Sequence, residues 1–153
     1  MDDGGSGLIP VDVTCALPPR NVVRTYAPTY HAVYTEIFAP VCATEFCHGG
    51  AGDFLQLSSE DMGYASLVNA PAEGPLCAAT GLKRVNPGLP DASLVYLKIT
   101  TPPCGNKMPL NYGCIGLLDP GDTEQIRQWI ACGALDGGTA CPGDASAADA
   151  LTE

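Results

Sequence analysis

Between Tyr30 and Phe38 apolar side chains return every three or four residues, at Tyr30, Val33, Tyr34, Ile37 and Phe38, the spacing of one helical face. Thr29 stands where an N-cap oxygen would accept from the first free backbone N–H groups, and Pro40 biases Ala39 away from helical geometry. A helix is therefore expected from about 30 to 39, with Cys42 and Cys47 on the turn behind it. A second apolar set, Met62, Tyr64, Ala65, Leu67 and Val68, predicts a helix near 59–69, with Ser58 and Asp61 spaced as a capping pair. Pro90 and Asp91 open a third short helix carrying Leu94, Val95, Leu97 and Ile99. The last helix has the clearest start: Asp119 as cap, Pro120 in the first position, then Asp122 and Glu124 where the backbone dipole favours acid. Ile126, Trp129 and Ile130 form its core stripe and Gly133 is placed to end it. The Trp129 stripe is read as packing against the first helix.

What lies between these helices carries no period. Residues 1–28, with Gly, Asp and Pro18-Pro19, read as an extended arm, and residues 136–153, rich in Ala, Asp and Ser, as a tail. The body is one mainly helical domain over 29–135 with long loops. One of these, Thr101 to Pro109, holds three prolines besides Cys104, Gly105 and a central Met108.

Eight cysteines in 153 residues change the picture, because a chain kept reduced in the cytosol rarely carries so many. The fold is expected to be disulfide-stapled, in an oxidising compartment, with an extracytoplasmic signal or lipid anchor upstream of the present start. No apolar run approaches the roughly 20 residues that cross a bilayer. The net charge of −10 argues against a nucleic-acid partner. Lys83, Arg84, Lys98 and Lys107 fall in one acid-poor region. That region reads either as a solvated face or as an edge facing a partner or an anionic group.

The sharpest chemical signal is Cys42-Ala43-Thr44-Glu45-Phe46-Cys47-His48, followed by Gly49-Gly50-Ala51-Gly52. Two cysteines with a histidine directly after the second is the order that attaches a haem, although the usual motif has two residues between the cysteines and this one has four. Taken with the aromatic first helix, Lys107-Met108-Pro109, and the closing Trp129-Ile130 and Gly133-Ala134, this order resembles the small class I c-type cytochromes. It is more closely similar to the cytochrome-c-like domains of secreted bacterial proteins.

The resemblance covers about 29–135 and implies a haem c whose vinyl groups form thioethers with Cys42 and Cys47, its iron held by His48 and Met108. It implies electron transfer with redox partner proteins, a monomer in the periplasm or at the cell surface, and no catalytic group. The rival is a haem-free, disulfide-stabilised binding module in which Cys42 and Cys47 are bridged and Met108 fills a gap. Copper held by His48 and Met108 is a third reading. His31 lies off the apolar stripe and should face solvent. For the remaining cysteines, a Cys104–Cys114 bridge would brace the Met108 loop, and Cys132 would pair with Cys15 or Cys141. Cys77 is then left without a mate.

Overall fold

The computed structural model describes residues 28–45, 47–50, 54–110 and 118–137. Residues 1–27 of the arm and nearly all of the tail, together with Phe46, Cys114 and Cys141, lie outside the described residues, and so does Cys15. Within them the fold is mainly helical, and no strand longer than an isolated bridge occurs. No helix among them is long and apolar enough to cross a membrane.

Helix α1 (Tyr30–Val33) begins as its sequence dictates: the Thr29 hydroxyl accepts from the Ala32 N–H at 3.1 Å. Its continuation departs from expectation. The chain does not stop at Ala39 but winds on as a π-helix from Tyr34 to Cys42, with Pro40 inside it. In α-helical winding a proline ring collides with the carbonyl four residues earlier, and the wider π turn relieves that crowding. The Ala43 N–H accordingly reaches back five residues, to the Phe38 carbonyl at 2.8 Å. Cys42 thus ends a core-packed helix instead of lying on the turn beyond it.

Helix α2 (Glu60–Leu67) starts one residue later than its sequence signals imply: Ser59, not Ser58, is the cap and accepts from the Met62 N–H at 3.3 Å. The third predicted helix divides into a single 3-10 turn (Pro90–Ala92) and α3 (Leu94–Ile99). Ser93 separates them, buried, its hydroxyl donating to the Leu89 carbonyl at 2.8 Å. Helix α4 (Pro120–Ala131) has the full capping box, Asp119 and Asp122 each accepting from the other's backbone N–H. Gly133, at φ +100°, turns the chain where the helix ends.

The core gathers Tyr30, Val33, Ile37 and Phe38 from the first helix, Leu67 from α2, and Ile126, Trp129 and Ile130 from α4, all at most 2% exposed. Trp129 stacks against Tyr30 with ring centroids 5.1 Å apart and meets Phe38 edge-on at 6.4 Å. Its indole N–H donates to the Leu135 carbonyl at 3.1 Å, so a large apolar side chain is buried without stranding its polar atom. A smaller cluster of Ala72, Cys77 and Leu94 lies apart. There short backbone bonds such as Arg84 N–H to Ala70 O (2.7 Å) and Leu94 N–H to Lys83 O (3.0 Å) tie loop to loop.

The disulfide arrangement corrects the expected one. Cys104 is bonded to Cys77, not to Cys114, and the residue left without a mate in the sequence is the true partner. Cys132 is disulfide-bonded as well. Cys42 and Cys47 are both free thiols, so the Cys42–Cys47 bridge is not formed. His31 faces solvent as expected, 70% exposed, with Glu60 at 3.0 Å.

Candidate functional site

Several segments meet around a cavity of about 470 Å³, within the range of small-molecule and cofactor sites. Phe38, Leu57, Leu67 and Ile126 are at once cavity wall and hydrophobic core, so one side of the site is as rigid as the core itself. The rest of the wall is also largely apolar. Phe54 and Leu76, though 59% and 73% exposed, belong to it and give it an apolar rim.

Cys42, Cys47, His48 and Met108 all line this one cavity. Two different devices deliver them. The π-helix carries Cys42 directly off the core. The chain then closes on itself: the His48 N–H donates to the Cys42 carbonyl at 3.0 Å, and the Cys47 and Gly49 N–H groups share the Thr44 carbonyl at 2.9 and 3.0 Å. Both Cys42 and Cys47 are among the residues that line the cavity. Gly49 is obligatory at that point, because a Cβ there would lie 2.2 Å from the Ala43 carbonyl oxygen. The Leu57 N–H then donates to the His48 carbonyl at 2.8 Å, seating the histidine backbone beside a core residue.

Met108 arrives from the other side. Its N–H donates to the Lys98 carbonyl at 2.8 Å, which ties the irregular loop to the end of α3. Leu94, Val95, Lys98 and Ile99 of that helix share the same wall.

The two cysteines differ in environment. Cys47 is exposed, whereas enough protein surrounds the Cys42 sulfur that burial pushes its thiol up to about 12, helped by neighbouring Cys47 and by the Asp122 charge. Cys42 is therefore a protonated thiol at neutral pH, unsuited to act as a free nucleophile or thiolate ligand. Among the described residues no three His, Cys, Asp and Glu side chains are placed so that together they could hold a metal ion. Met108 lines the same cavity as His48 and brings a thioether sulfur to it.

The basic strip of the sequence is neither a uniform solvated face nor a single edge. Lys83 turns outward to Asn69 (2.9 Å), while Arg84 and Lys98 belong to the cavity wall. Arg84 is only 8% exposed and ties three segments together, donating to the Ser66 carbonyl at 2.8 Å, to the Phe54 carbonyl, and to Glu73 at 3.1 Å. Lys98 donates to the Cys104 carbonyl at 2.8 Å, and burial lowers its ammonium pKa. Neither was singled out as a site residue from the sequence. The sign was present for Lys98, which lies four residues after Leu94 and three after Val95, on the apolar stripe of its own helix.

Comparison with protein-family models, with characterised proteins and with solved structures gave no match, so the reading of this site rests on its own geometry and chemistry.

Proposed function

We propose that the chain carries one covalently attached haem c and serves as an electron-transfer protein of the periplasm or cell surface. One observation carries this reading: two free thiols, an imidazole and a thioether, drawn from segments up to 66 residues apart (108 − 42 = 66), line a single apolar cavity. The donor set fits the group. Cys42 and Cys47 would add S–H across the two vinyl groups, a reaction that conserves atoms and needs no oxidant. His48 and Met108 would hold the iron. When bound, the haem would supply one-electron exchange.

What the protein adds is potential and exclusion of water. A thioether donates weakly to ferric iron, and an apolar wall disfavours the additional positive charge of the oxidised state, so both favour the reduced form. This function asks for no acid, base or nucleophile, and the high pKa of Cys42 agrees with a passive, covalent role. The disulfide Cys77–Cys104 fits an oxidising compartment, and redox proteins are the partners this reading calls for. A haem-free module closed by a Cys42–Cys47 bridge would require a bond that these two free thiols do not make.

The test is production in a periplasm competent for haem attachment. The expected product is red, shows a Soret band, and keeps a mass increment of one haem through denaturation. A colourless product made under those conditions overturns the proposal.

A further inference from the structure

We propose that the Cys77–Cys104 disulfide and Lys98 are positioning residues that clamp the Met108 segment into the cavity wall, and that opening the disulfide with a thiol reductant releases it. The consequence for iron rests on the reading of Met108 as distal ligand; the clamp itself does not.

Three attachments converge on this segment. Cys104 is cross-linked to Cys77, which is itself buried against Ala72 and Leu94 and forms part of the cavity wall. The Lys98 side chain reaches the Cys104 carbonyl at 2.8 Å, while its own carbonyl accepts the Met108 N–H at 2.8 Å. Lys98 thus holds the loop at both ends of the stretch from 104 to 108. Gly105 fills the gap between them at φ +58°, where a Cβ would stand 3.1 Å from the Lys98 Nζ and 3.3 Å from Leu76 Cδ1. Elsewhere the segment has little to hold it: residues 100–110 form no helix or strand, and Gly105, Asn106 and Lys107 are exposed. A loop so short of core contacts depends on its tethers for order. Reduction consumes two thiols of the reductant, leaves Cys77 and Cys104 as thiols and converts the reductant to its own disulfide.

The experiment compares wild type with Cys77→Ser/Cys104→Ser, reading tryptic cleavage after the exposed Lys107 and the weak charge-transfer band that a thioether gives with ferric haem. Trp129, the only tryptophan, reports the state of the core by its emission. The expected result is cleavage faster by about tenfold or more, loss of that band and a fall in reduction potential, with Trp129 emission unchanged. Unchanged cleavage and an unchanged band overturn the clamp. Should the double variant lose its native Trp129 emission, Lys98→Met with the disulfide intact decides: faster cleavage supports the clamp and an unaltered rate overturns it. A colourless preparation removes the haem reading alone, since cleavage after Lys107 is measured equally well without haem.

Discussion

The Trp129 side of this protein and the Cys77 side owe their order to different forces. Around Trp129, helices α1 and α4 bury aromatic and branched side chains against one another, and the indole N–H has a carbonyl to bond, although the buried Tyr30 hydroxyl has no partner among the described residues. Around Cys77, a cluster of only three buried residues, a disulfide and isolated backbone bonds hold loops in place. The first arrangement is cooperative, because every large side chain touches several others. The second is a set of local ties that can open one at a time. The candidate site lies across the boundary, with Cys42 carried by the packed side and Met108 by the tied side. A covalently attached group would thus remain seated on the rigid half while the distal donor depended on the weaker one.

That contrast can be broken most directly at Trp129. Trp129→Ala removes the largest buried side chain of the core and is expected to cost about 3–5 kcal/mol, measured by denaturant unfolding, in one cooperative transition. If the variant instead lost only the order of residues 100–110, the two sides would not be distinct. The junction between them is probed at Gly49. Gly49→Ala places a Cβ against the Ala43 carbonyl oxygen and should cost about 1–3 kcal/mol. If the proposed haem attachment holds, it should also lower the yield of haem-loaded protein more than its stability loss explains, because the turn holding Cys47 and His48 must shift.

The smallest effect sharpens the comparison from the surface of α4. Glu124 accepts from Arg127 at 2.6 and 2.8 Å, and these bonds hold its carboxyl below the ordinary value against a partial desolvation. A depressed folded pKa contributes stability that is present above the unfolded value and is lost as pH falls through the folded one. Both side chains are 40% or more exposed, so solvent screening limits the pair to roughly 0.5 kcal/mol. Thermal melts of wild type and Glu124→Gln should therefore differ slightly near neutral pH and converge in acid. A difference that grew on acidification would contradict the assigned sign.

Local signals were legible wherever a few neighbouring residues settle the outcome. The Asp119 cap, the Thr29 cap, the Gly133 turn and the stripe Ile126, Trp129, Ile130 occur in the structure as the sequence implies. Ser58 and Ser59 offer equivalent hydroxyl acceptors one residue apart, and the folded chain uses the second. Pro40 was read as a stop because the steric rule assumes α-helical winding, and the π turn falls outside that assumption. The pairing of Cys104 lay beyond reach, since its mate is 27 residues distant and the intervening chain had to fold first.

The sequence by itself determined the helical periods, their caps and the presence of two thiols, an imidazole and a thioether in a fixed order, because those depend on spacing and side-chain chemistry alone. Which sulfurs bond, which cations turn into the cavity, and whether residues 42 and 108 face the same space were decided by the tertiary structure. Such facts are distances between segments remote in the chain, and those distances exist only after the core has closed.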